Sequence, residues 1–252
     1  MKSTSYGRIV FGIFTALFGA ICLMWHDFDT WQSIFRILSL PFGAVVGDVL
    51  MVALIAGGLF LLVPVAVRAG ARILIALFAI FAIACVVGIF SHPKMFAEYD
   101  TLLEQVSMLS GALAIAATAE SVSSRAAMLN LVARIGYGLS LVSFMLAQII
   151  YYGDTAPLVP KWLPPNEAFW AWATTVAFGL AAVAVLLDIR ARLALGLTAL
   201  MLAMFGLIVW VPALIAHPTH NNWSEFSLNA IIGAAAWVTM NAAGSGRRAR
   251  SA

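Results

Sequence analysis

Five side chains in this sequence have the chemistry to handle protons or hold a metal: His92, Glu104, His217, His220 and Glu225. His92 and His217 each stand directly before a proline at the end of a long apolar run, and an acid follows each within twelve residues. An imidazole and a carboxylate at the mouth of one apolar pocket can accept the protons of a quinol as its electrons leave. The same two groups suit zinc, copper or iron. His217 and His220 are three positions apart on a turn broken by Pro218, a spacing that fixes no ligand set, so a metal is not expected. A plainer reading of both His-Pro steps is helix termination. Proline disfavours helical geometry in the residue before it, and a cationic tip suits a helix C-terminus. From the residues alone, both readings stand.

The elements that must carry these groups follow from composition. The chain is 63% hydrophobic and 10% charged, with a mean hydropathy of +1.00. A soluble domain carries about 25% charged residues, and a helix crosses the hydrocarbon core with about 20 apolar ones. Eight apolar segments of that kind run over approximately 8–25, 47–67, 71–91, 103–119, 133–152, 168–187, 192–216 and 226–243. Each must be helical, because lipid offers no partner to an exposed backbone N–H or C=O. The expected class is an all-α integral membrane protein with eight transmembrane helices.

The first segment is read as a retained span. No small-residue cleavage site precedes Trp25, and Ile21 stands where a lipoprotein signal needs a small residue before Cys22. Cys22 and Cys85 make no CxxC and no zinc spacing; they are expected as buried free thiols, although a bridge between adjacent helices is conceivable.

An even number of spans puts both termini on one side, and charge says which. Arg8, Arg68, Arg72, Arg125, Arg134, Arg190, Arg192 and the tail arginines fall on the terminal side, against only Arg36, Lys94 and Lys161 on the other. The positive-inside rule then places both termini in the cytoplasm, and the expected location is a bacterial-type inner (plasma) membrane. The net charge of +3 reads as orientation, not as a nucleic-acid footprint, and no nucleic-acid partner is expected.

The chain also repeats itself. Arg8-Ile-Val-Phe-Gly12, Leu40-Pro41, Gly57-Gly58-Leu59, Arg72 and His92-Pro93 are answered in order by Arg134-Ile-Gly-Tyr-Gly138, Leu163-Pro164, Gly179-Leu180, Arg192 and His217-Pro218. This predicts two four-helix units, over 1–119 and 134–243, joined by a cytoplasmic linker over 120–133 and followed by a basic tail over 244–252. Copies of four spans enter the membrane in the same sense, so a pseudo-twofold along the membrane normal should relate them. Small residues such as Ser110-Gly111-Ala112 and Gly233-Ala234-Ala235-Ala236 are expected on helix seams. Pro64 and Pro212 fall inside predicted spans and should kink them.

The repeated unit resembles the DoxX-like family of small four-span membrane proteins. The second copy carries the resemblance best, in Val159-Pro-Lys-Trp-Leu-Pro164, Gly179-Leu180, Arg190-Ala-Arg192 and His217. The first copy departs, with Leu40-Pro41 in a longer loop and Asp48 opening its second span. The resemblance implies association with redox systems, as a small membrane subunit of quinol or thiosulfate-quinone oxidoreductases or a relative linked to disulfide and oxidative-stress systems.

The remaining residues narrow this expectation. Trp25, Trp31, Trp162, Trp170, Trp223, Tyr99, Tyr151 and Tyr152 map to the outer rim, where amphipathic rings form an interfacial belt. No histidine lies at mid-membrane depth, so haem is not expected. No acid or base lies near the centre of a predicted span, which disfavours a charge-coupled carrier. Gln148 and Asn229 are the strongly polar residues below the rim. The expected function is an accessory, non-catalytic membrane subunit of a redox or respiratory system. Its outer-face pocket would take a quinone beside His92, Glu104, His217, His220 and Glu225, and its partners would be lipid and other membrane or periplasmic redox subunits. The alternative is a structural or assembly protein that packs against partner subunits and binds no cofactor.

Overall fold

The computed structural model describes residues 2–25 and 41–248. His26, Trp31 and Arg36, expected at the outer rim, and Arg250 of the tail lie outside the described residues. Eight helices are long and apolar enough to cross a membrane. We label them α1 (Lys2–Trp25), α2 (Gly43–Leu62), α3 (Val67–Ser91), α4 (Phe96–Ala119), α5 (Ser123–Ile150), α6 (Glu167–Leu186), α7 (Ala191–Ala216) and α8 (His220–Arg248). No strand occurs among the described residues.

Outward-facing stripes are apolar at helical spacing: Ile80, Ile83, Val87 and Phe90 on α3, Trp172, Val176, Leu180 and Val183 on α6, and Leu193, Leu197, Leu200 and Met204 on α7. The small polar side chains point inward instead, including Ser107, Ser110, Ser140, Ser143, Thr175 and Ser227. That inversion suits a molecule surrounded by hydrocarbon. With lipid as apolar as the core, close contact and hydrogen bonds between helices must drive association. Ser140 of α5 donates to the Leu103 carbonyl of α4 at 2.6 Å, and the buried Tyr137 hydroxyl donates to the Ile232 carbonyl of α8 at 2.9 Å. Such bonds are worth about 0.6 kcal/mol each.

Consecutive helices pack on one another: α1 on α2, α2 on α3, α3 on α4, and likewise α5 on α6, α6 on α7, α7 on α8. The halves are joined by α4 on α5, α1 on α8 and α4 on α8. The chain of neighbours within each half is thus the same, and α5 also packs on α8. The buried core is continuous across both halves, from Phe11, Phe78 and Met108 to Tyr137, Phe178 and Ala235. Cys22 and Cys85 are both buried and not disulfide-bonded.

Glycine sets the closest approach. A Cβ at Gly12 would stand 2.6 Å from the Gly58 carbonyl oxygen, and one at Gly58 would stand 2.5 Å from the Gly12 carbonyl oxygen. Backbone thus lies on backbone between α1 and α2. The corresponding glycines of the second half, Gly138 and Gly179, face the side chains of Leu186 and Met145 instead.

Both His-Pro steps end helices. His92 leaves helical geometry at φ −133° after α3, and His217 does so at φ −144° after α7. Pro64 does not kink a span: α2 has already ended at Leu62, and the proline opens a short 3-10 turn, Pro64–Ala66. Pro212 does deform its helix. The ring of a proline clashes with the carbonyl four residues back, and α7 answers with a π turn over Gly206–Trp210, closed by the Val211 N–H bonding to the Gly206 carbonyl.

Three boundaries differ from expectation. α4 begins at Phe96 rather than near 103, taking Glu98 and Asp100 into the helix that carries Glu104. α5 begins at Ser123, so most of the stretch read as a linker over 120–133 is helical. α8 begins at His220, with Glu225 in its second turn, and runs to Arg248, into the stretch read as a tail.

Candidate functional site

The principal cavity, of about 710 Å³, lies among α5, α6, α7 and α8, with Glu104 of α4 reaching into it. At 1.5 Å per residue, Glu104 stands ~12 Å along α4 from Phe96, and Glu225 stands ~7.5 Å along α8 from His220. Both helices start on the face opposite the termini, so both carboxylates lie below that face and inside the bundle. Asp100, one turn before Glu104, accepts from the Ser143 hydroxyl at 2.6 Å.

The rest of the wall is mostly apolar. Phe144, Phe178 and Phe205 form an aromatic floor, with ring centroids 5.7 Å apart for the first pair and 6.5 Å for the second. Leu158, Val159, Pro160 and Leu163 cover the end nearest the α5–α6 connection. Asn166 caps α6 through its Oδ1 on the Phe169 N–H at 2.8 Å, and Trp170 donates its indole N–H to the Pro164 carbonyl at 2.8 Å. These contacts hold the covering segment against α6. Leu197 and Leu200 line the cavity while 57% and 59% exposed, so it reaches the lipid-facing surface beside α7.

Two amides add directional groups. Gln148 is held through Oε1 by the hydroxyls of Thr175 (2.8 Å) and Thr174 (3.3 Å), leaving its Nε2 as a donor for a ligand. Asn229 donates to the Leu202 carbonyl at 2.9 Å, just before the π turn. The π turn itself supplies Ile208, Val209 and Trp210 to the wall. π turns recur at functional sites because they swing side chains out of helical register.

The five expected site residues are therefore divided. Glu104 and Glu225, assigned to separate mouths of separate halves, share one cavity. The histidines do not line it, which corrects the expected His–Glu pairs. His92 is paired with Glu98, Nδ1 to Oε1 at 3.3 Å, rather than with Glu104. That contact clasps the α3–α4 turn, with the imidazole at a helix C-terminus and the acid in the first turn of the next helix. His217 is exposed, and its carbonyl accepts from the Asn222 amide at 2.8 Å. His220 is buried with its ring centroid 5.4 Å from that of Trp25 and its Nε2 3.3 Å from the Ser224 hydroxyl.

Asp100, Glu104 and Glu225 join Gln148 and Asn229 as polar side chains below the rim, each in the first three turns of its helix rather than at the centre of a span. Asp100 was legible as a partner of Glu104, since an i, i+4 pair shares a helix face. Thr174 and Thr175 were legible as polar residues opposite Gln148. Among the described residues, no group of three or more His, Cys, Asp or Glu side chains is arranged to hold a metal ion. No family model, curated protein or solved structure matches the chain, so the DoxX-like resemblance rests on its motifs alone.

Proposed function

We propose that the chain is an accessory membrane subunit of a redox or respiratory system, and that its cavity holds a quinone or quinol drawn from the bilayer. It sits in an inner, plasma-type membrane with both termini cytoplasmic, beside partner subunits that act on the same quinone pool. The observation that carries this reading is the placing of Glu104 and Glu225 in one apolar cavity that reaches the lipid-facing surface. Ligand sites of this kind measure about 300–1,000 Å³ and combine apolar walls with a few directional polar groups. A bound quinone supplies two-electron, two-proton carrying capacity. The chain's own residues supply the rest: carboxylates that accept hydroxyl hydrogens, the Gln148 amide for a carbonyl, aromatic faces for the ring, and an apolar channel beside α7 for the tail. The fit concerns binding and proton acceptance at Glu104 and Glu225.

Titration of the detergent-solubilised protein with a short-chain quinol tests this, read by quenching of the tryptophans, of which Trp170 and Trp210 line the cavity. Glu104→Gln or Glu225→Gln should each weaken binding by about threefold to tenfold, as a hydrogen bond is worth about 0.5–1.5 kcal/mol net. Saturable binding that neither substitution changes would remove the quinol from this cavity. No binding at all would favour the assembly reading, in which the bundle only packs against partners.

A second reading is favoured by one observation: among the described residues no Lys, Arg or His lines the cavity beside its two acids. A lipophilic organic cation, stacked on the aromatic floor, would supply a positive charge there. Competition between tetraphenylphosphonium and the quinol separates the two classes.

A further inference from the structure

We infer that a cleft on the termini side of the membrane binds the phosphate headgroup of an anionic phospholipid between Arg68 and Arg72. The cleft, of about 190 Å³, lies where the start of α3 meets the end of α4 and the first turns of α5. Arg68 and Arg72 are one turn apart on α3, and Ile75 continues the same face toward the membrane interior. Ala116 and Leu129 complete an apolar floor below the two guanidiniums. Charged groups above an apolar surface are the arrangement a phospholipid fits, whereas a free anion uses only the upper half.

Neither arginine is ion-paired among the described residues, although Glu120 also lines the cleft. Arg68 is aimed by donating its Nε–H to the Ala119 carbonyl at 2.7 Å, the last helical carbonyl of α4. Glu120 is the nearby acid, but its Oε1 turns back onto its own loop, accepting from the Ser121 N–H at 2.8 Å and the Val122 N–H at 3.1 Å. Those backbone bonds, that of Val122 first, hold its carboxyl below the usual range, with the charges of Arg125 and Arg68 adding in the same direction, so it stays ionised with its oxygen committed to the loop. A guanidinium fixed at Arg68 and a second one turn on at Arg72, beside lipid, attract phosphate oxygens, which Arg binds bidentately.

The test uses the full chain in neutral detergent, with thermal unfolding and native mass spectrometry as readouts. Phosphatidylglycerol should raise the midpoint and persist as an adduct more than phosphatidylcholine does. Arg68→Gln and Arg72→Gln should each weaken that preference by about fivefold. Arg190→Gln with Arg192→Gln should leave it unchanged, which controls for overall charge. Equal effects of the two lipids, or a preference that survives both cleft substitutions, would overturn the inference. So would an equal stabilisation by inorganic phosphate alone, which would make the cleft an anion site with no lipid selectivity. Circular dichroism of each variant shows whether a lost adduct reflects lost fold. Should Arg68→Gln fail to fold, Arg72, which makes no structural hydrogen bond, carries the test.

Discussion

Glu104 lies on the side of α4 that meets α5 and α8, one turn after Asp100, and Ser143 of α5 anchors that acid from the neighbouring helix. Glu225 reaches the same space from α8. The histidines have other work: His92 fastens a turn to Glu98, and His220 packs against Trp25. His217→Ala should therefore leave the affinity for a short-chain quinol within about twofold, the range of a surface substitution. A tenfold loss in the same titration would return His217 to the site. The acids were legible in sequence as chemistry and the histidines as helix ends, but not which acid each histidine meets. The reason is physical. Three acids in the first three turns of α4 depress its hydropathy, so an apolar window starts the span near 103 and strands Glu98 and Asp100 in a loop. Once the helix starts at Phe96, Glu98 falls beside His92 and Glu104 turns inward.

At the scale of the helices, the two halves differ in how tightly they close. Gly12 and Gly58 bring α1 and α2 into backbone contact, whereas Gly138 meets the side chains of Leu186 and Val185, and Gly179 that of Met145. The looser second half is also the half that contains the cavity. Gly58→Ala should destabilise the protein by about 1–3 kcal/mol, because its new methyl group meets a carbonyl that cannot swing away. Gly179→Ala should be neutral or stabilising, since Met145 can move aside and alanine favours a helix over glycine by about 1 kcal/mol. Reversible unfolding in mixed micelles compares the two, and equal tolerance would contradict the packing described. Sequence made the small-residue seams visible; it could not tell a glycine touching backbone from one touching a thioether. The π turn was half visible. Pro212 announces a disturbed helix, but whether the chain kinks or inserts an extra residue depends on what receives it, here Asn229 and the cavity wall.

Across the whole molecule, the count of eight spans was legible because lipid permits only helices and each needs a minimum apolar length. The sharing of one interior by both halves was not, since α1 packs on α8 and α4 on both α5 and α8 rather than closing two separate bundles. If the chain arose by duplication, reporter fusions after Lys94 and Thr219 should lie on one side of the membrane and those after Ser121 and Ile189 on the other. Opposite sides for the two His-Pro steps would refute both the topology and the shared mouth of Glu104 and Glu225. The most direct measurement is the quinone content of the protein purified gently from quinone-bearing membranes, expressed per chain. Close to one quinone per chain, falling sharply in the Glu104→Gln, Glu225→Gln double variant, is the predicted result. A wild-type protein that emerges without quinone, or a double variant that retains as much, would contradict it.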